Sequence, residues 1–156
     1  MNPIIQSVYD LQDSSTVLRQ RRYGMIECRD GEFVRVQLRP WPKISSIVEA
    51  RWMVAWKNRW RKHDVCRLYY NQPLMHRNYL ALSLIESTRQ TRLKTVMAAL
   101  RVLDTIASIK TTDAILAEVT NSVISDRVLK RFGWQPHLER SRGRHWIKRF
   151  YGNYPK

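Results

Sequence analysis

Two carboxylates stand where proton chemistry could be done. Glu86 closes the apolar run Tyr79 to Ile85, and Glu118 lies inside a second run, Ala114 to Val119. A general base must reach the proton it removes and needs a pKa tuned toward neutrality. Glu118 is the more unusual of the two, because carboxylates rarely go inside unpaired. An ion pair with one of the many arginines is the competing role. Just beyond Glu86 come Arg89, Arg92 and Lys94. Arginine forms forked bonds to phosphate, so these side chains can hold an anion, or they can be the solvated face of a helix.

Several other chemistries find no support in the spacing. His63, His76, His137 and His145 have no metal-ligand spacing to each other or to Cys28 and Cys66. There is no Gly-x-Ser-x-Gly nucleophile elbow and no Gly-Lys-Thr phosphate loop. A metal centre is therefore not expected.

Trp52, Trp56 and Trp60 recur every fourth residue, interleaved with Arg51, Lys57, Arg59, Arg61 and Lys62. They line one side of a helix running from Ser45 or Ser46 to about Arg61. Aromatic faces beside positive charge can stack bases and hold phosphates. A stripe at helical spacing is more often core, in which case Arg59, Arg61 and Lys62 still reach phosphates from the helix end. Arg140, Arg142, Arg144, Lys148 and Arg149 form a further basic group near the C-terminus. With 28 Lys and Arg against 13 Asp and Glu, the net charge of +15 would attract nucleic acid, acidic partners or anionic cofactors.

The elements that must position these residues follow from pattern. Residues 1–23 read as a basic arm or as an added strand and turn, with Ser14, Ser15 or Thr16 able to cap a short helix. Met25 to Leu38 reads as a hairpin turning at Asp30-Gly31. Val65 to Tyr70 and Tyr79 to Ile85 read as strands, the second continuously apolar. Leu93, Val96, Met97, Leu100, Leu103 and Ala107 give one helical face within Arg89 to Ile109. The order predicts a mixed sheet with helices on both faces, an α/β domain spanning residues 24–156.

The stretch from Asp113 to Trp134, DAILAEVTNSVISDRVLKRFGW, reads as a buried strand, a helix capped by Asn121 or Ser122, and a stop at Gly133. This unit resembles the C-terminal part of the GNAT superfamily of N-acetyltransferases. Asn78 to Glu86 resembles that family's fourth strand, Arg89 to Ile109 its long helix, and Val34 to Pro40 its opening strand. The resemblance implies acyl transfer from acetyl-CoA or another acyl-CoA to an amine, the acceptor being acidic or attached to an acidic polymer in view of the charge. It also implies that Ile85, Arg89, Gln90, Arg92, Lys94, Thr95 and Asn121 surround the cofactor, with Glu86 or Glu118 as base.

The chain departs from the family pattern in three places. The family's phosphate loop carries Gly and Gly or Ala. Here those positions hold Arg92 and Lys94 in one register and Leu93 and Thr95 in the other. Either charged side chains replace backbone contacts, or the cofactor site has been lost and a non-catalytic basic module binds RNA, DNA or a ribonucleoprotein through Arg59, Arg61, Lys62, Arg142 and Arg144. The family's Tyr beside the departing thiolate is Val128 or Leu129 here. Lys62 to Arg77 offers one strand where the family has two, which predicts a reduced sheet.

At 156 residues the chain is one domain's worth. Its N-terminus lacks the basic and apolar regions of a secretion signal, and no stretch has the apolar length to cross a bilayer. Those features, with two cysteines only, predict a cytoplasmic protein with free thiols and no membrane partner.

Overall fold

Asp30 and Gly31 turn the chain back on itself, both at positive φ, 52° and 81°. Two successive left-handed residues make the hairpin turn whose twist matches its strands. The computed structural model describes residues 5–40, 55–56, 58–119, 124–137 and 144–155. Along the chain run β1 (Gln6–Val8), α1 (Ser15–Gln20), β2 (Tyr23–Arg29), β3 (Glu32–Arg39), β4 (Val65–Asn71) and β5 (Tyr79–Ser87). Then follow α2 (Leu93–Lys110), β6 (Ala114–Val119), α3 (Asp126–Arg131), β7 (Gln135–Pro136) and β8 (Arg144–Arg149).

The strands form one eight-stranded sheet in the order β1-β3-β2-β4-β5-β6-β8-β7. Among the described strands only β5 and β6 run parallel, joined by the long crossover through α2 that a parallel pair requires. The architecture is thus a mixed sheet with helices. The expectation of a reduced sheet is corrected: short β1 and β7, too brief for any sequence period, extend both edges. Val34 to Pro40 is not the opening strand either, because β1 and β2 precede it and it pairs between them.

Alternation along the strands divides the sheet's two faces. Ile26, Cys28, Cys66, Leu68 and Tyr70 join Val96, Ala99, Leu100, Leu103, Ile106 and Ala107 of α2 in the core. Leu93, read as part of the apolar helix face, is 44% exposed. Residues 1–23 are partly integral: β1 pairs with β3, and Leu18 of α1 is fully buried. Lys110, buried at the end of α2, donates to Arg21 O (2.7 Å), Gln72 Oε1 (3.0 Å) and Arg19 O (3.3 Å). It ties α1 to the end of β4, and burial pushes its pKa down to about 8. Cys28 and Cys66 are free, buried and directly opposite each other on β2 and β4.

Helix ends correct two further expectations. The long helix starts at Leu93 rather than Arg89. Thr88 to Thr91 closes a turn of its own, with Thr88 N–H donating to Thr91 Oγ1 (2.8 Å). The shorter helix is capped by Ser125, whose hydroxyl accepts from Val128 N–H (3.3 Å), and not by Asn121 or Ser122, which lie outside the described residues. Gly133 ends it at φ 87°, as its position predicts.

Gly24 and Tyr70 make a sharp packing test. Added to Gly24, a Cβ would sit 2.5 Å from Tyr70 Cζ, and the Tyr70 hydroxyl is buried with no hydrogen-bond partner. Gly24→Ala should therefore destabilise by about 1–3 kcal/mol through overpacking. Tyr70→Phe should be neutral or stabilising, because it removes a desolvated group that bonds to nothing. Urea unfolding of both variants checks the pair; a Tyr70→Phe loss as large as that of Gly24→Ala would contradict it.

Candidate functional site

The parallel strands part company midway. Rungs run from Tyr79↔Ala114 to Leu82↔Ala117 and stop there, while β5 continues to Ser87 paired only with β4. Where they stop, Ser83 is an extra residue between the Tyr70↔Leu82 and Tyr69↔Leu84 rungs, a β-bulge. A bulge bends its strand and increases local twist, and the rungs to β6 end at this point. Ser83 is exposed, and Leu84 and Ile85 are half-buried.

Glu86 lies three residues past the bulge and is 4% exposed. Tyr69 Oη donates to its Oε2 at 3.3 Å. Burial, and next the Glu86 charge, push the Tyr69 phenol up to about 12, so it stays protonated and remains a donor. Glu86 is also the last member of a row of alternating charge running straight across four strands. The register sets Arg35 beside Glu27, Glu27 beside Arg67, and Arg67 beside Glu86. Glu27, fully buried, takes Arg29 at 2.8 Å and Arg35 at 2.9 Å, with Arg67 at 4.0 Å.

This charged row lies on the face opposite α2, since Arg67 alternates with the core residues Cys66 and Leu68. Residues 55–56 and 58–60 are helical and cover it. The Arg67 guanidinium sits 4.6 Å from the Trp56 ring centroid, and that of Arg29 sits 4.2 Å from the Trp60 ring centroid. Trp56 is 8% exposed, and both its Nε1–H and the Arg67 Nε–H are buried without a partner. Trp56 is thus buried, and Trp60 half-buried, against paired arginines rather than against aliphatic core. Trp52 lies outside the described residues.

The predicted cofactor residues separate into two groups. Arg89, Gln90 and Arg92 are exposed on the turn after β5. Lys94 is exposed too, but its stem lies across Gly31, while Thr95 is fully buried and accepts the Gly31 N–H at 2.9 Å. Both of these residues dock the β2–β3 turn. Three of the loop's backbone N–H groups are already engaged: Gln90 N–H goes to Thr88 Oγ1, Thr91 N–H to Thr88 O, and Arg92 N–H to Asp64 Oδ1. An anion here would be met mainly by side chains.

The remaining candidates are more scattered. Glu118 faces His145 in register and Arg144 pairs with Val119; the side chains of Glu118 and Arg144 lie outside the described residues, as do Asn121 and Arg142. Val128 is half-buried and Leu129 buried, and as hydrocarbon side chains neither supplies a hydroxyl. Arg59, Arg61 and Lys62 are exposed. Lys148 leaves the basic surface group: it is buried and bonded to Asp104 at 2.7 Å. Among the described residues no three His, Cys, Asp or Glu come together as a metal site, and no described helix is long and apolar enough to cross a membrane.

Tyr69, Arg67 and Glu27 join the candidate site through strand pairing alone. Their signal is weak, a polar residue at every second position of two short strands, and it becomes a row only once the register is known. No protein-family model, curated protein or solved structure matches the chain.

Proposed function

We propose that this chain is an acyl-CoA-dependent N-acyltransferase of GNAT-like fold, with acetyl-CoA or another acyl-CoA as co-substrate and an amine as acceptor. The observation that supports it is the parting of β5 from β6 at the Ser83 bulge. A parallel pair closed along its whole length leaves no slot. One that opens after four rungs leaves a strand edge from Ser83 to Ile85 with no strand opposite it among the described residues. The arm of CoA between thiol and pyrophosphate is a linear chain bearing amides, which can bond to such an edge as an added strand does.

In this reading Arg89, Gln90 and Arg92 contact the pyrophosphate at the end of the slot. The amine lone pair attacks the thioester carbonyl carbon, the carbon–sulfur bond breaks, and the thiolate departs. Glu86 takes the proton lost by the amine, with Tyr69 holding its carboxylate by a hydrogen bond.

Calorimetric titration with acetyl-CoA tests this directly. Binding should also protect the chain from thermal unfolding, by about 2.7 kcal/mol when the ligand stands at a hundred times its Kd. Arg89→Ala combined with Arg92→Ala should abolish that protection. Unchanged protection would remove the pyrophosphate site, and no heat on titration would remove the cofactor.

A further inference from the structure

Six cations that fall in two separate groups along the sequence meet at one end of the sheet. Thr88 Oγ1 donates to His63 O (2.8 Å), Thr91 Oγ1 to Val65 O (2.6 Å), and Arg92 N–H to Asp64 Oδ1 (2.8 Å). These bonds lock residues 63–65 against 88–92. Arg59, Arg61 and Lys62 therefore flank Arg89, Arg92 and Lys94, and all six are exposed. Among the described residues the acidic side chains that reach the surface at this end are Asp30, Glu32 and Asp64, while Glu27 and Glu86 are buried. One of the three, Asp64, is already engaged by the Arg92 N–H.

We infer that Arg59, Arg61, Lys62, Arg89, Arg92 and Lys94 form one phosphate-binding face for nucleic acid. Four of the six are arginines, whose forked donors match phosphate geometry. The net charge of +15 adds long-range attraction for a polyanion. Recognition is through the backbone rather than the bases. The Trp60 ring already has the Arg29 guanidinium at 4.2 Å and that of Arg59 at 5.6 Å, and Trp56 is buried, so neither offers a base an open face to stack on. Binding is accordingly indifferent to sequence and sensitive to salt.

This inference shares Arg89 and Arg92 with the proposed cofactor contacts but does not rest on them alone, because Arg59, Arg61, Lys62 and Lys94 have no part in those contacts. Its test is fluorescence anisotropy with a labelled duplex DNA and a labelled single-stranded RNA, both of random sequence, between about 50 and 200 mM salt. The logarithm of affinity should fall linearly with the logarithm of salt, by about 0.9 per phosphate contacted on the duplex and about 0.7 on the single strand. Arg59→Ala/Arg61→Ala/Lys62→Ala and Arg89→Ala/Arg92→Ala/Lys94→Ala should each weaken binding and lower the slope by about one per cation removed. The control is Arg77→Ala/Arg101→Ala/Arg149→Ala, which removes the same charge from exposed positions elsewhere and should weaken binding less than either of those triples. Thermal unfolding midpoints show whether each variant folds, and Arg→Lys replacements at the same positions should retain the slope. Equal losses from all three triples, an effect of one basic group alone, equal affinity for polyglutamate, or salt-independent binding would each overturn the inference.

Discussion

Glu27→Ala should destabilise the chain by about 3–5 kcal/mol in urea unfolding, the cost of removing one partner from a buried ion cluster. Glu27 is fully buried, yet it meets Arg29, Arg35 and Arg67. Without it, three guanidiniums face one another across neighbouring strands. Two of them also carry the tryptophans, Arg67 against Trp56 and Arg29 against Trp60, so the loss reaches the helical cover as well as the sheet. Arg29 is 36% exposed along its side chain and can turn to water, which places the cost toward the lower end of that range. Glu27→Gln should cost less, since its carbonyl still accepts one bond while its amide faces the remaining cations. A loss below about 1 kcal/mol for Glu27→Ala would mean the cluster behaves as a surface pair.

The same residue makes stability pH-dependent. Burial alone would raise the Glu27 pKa, but Arg29, Arg67 and Arg35 more than offset that and hold it below its ordinary 4.5. The unfolded chain therefore binds this proton at a higher pH than the folded chain does. The contribution of Glu27 is complete above pH 4.5 and is lost as pH falls through its lower folded value. Glu27→Ala should lack that component, so its thermal midpoint should fall less steeply on acidification than that of the parent chain.

Local chemistry made parts of this fold legible in advance, and non-local pairing hid the rest. The Asp30-Gly31 turn, the apolar face of α2 and the Gly133 stop each depend on a few adjacent residues, and each is where its residues place it. The start of α2 was misread because Arg92 N–H bonds to Asp64, 28 positions away, which no helical period reveals. Lys148 was read with the surface arginines because its partner, Asp104, is 44 positions earlier on another element. Glu86 was picked out as a carboxylate closing an apolar strand, but its place at the end of a charged row depends on the register of four strands. The bulge at Ser83 has no sequence signature either. Serine is an ordinary strand residue, and only the paired rungs on both sides show that one residue is extra.

Asp104→Ala is expected to match Glu27→Ala in cost, about 3–5 kcal/mol, because it leaves the Lys148 ammonium buried and unpaired. The pair is 2.7 Å apart with both side chains 8% exposed, and it fastens α2 to β8. Lys148→Met is informative in the opposite sense. Burial already raises the Asp104 pKa above 3.8, with Lys148 pulling it back by hydrogen bond and charge. Without Lys148 the carboxyl is pushed higher still, and the folded chain binds the proton more readily than the unfolded chain. That contribution is fully present below pH 3.8 and is lost as pH rises through the folded value. Lys148→Met should therefore gain stability relative to the parent as pH falls, while Asp104→Ala should not. The double variant Asp104→Ala/Lys148→Met has no buried charge left to compensate and should recover much of the Asp104→Ala loss, at all pH values. Urea unfolding of the four chains at neutral and acidic pH closes the cycle. Strictly additive single losses would show that the two side chains do not act as a pair, and an Asp104→Ala chain as acid-responsive as Lys148→Met would place the titrating group elsewhere.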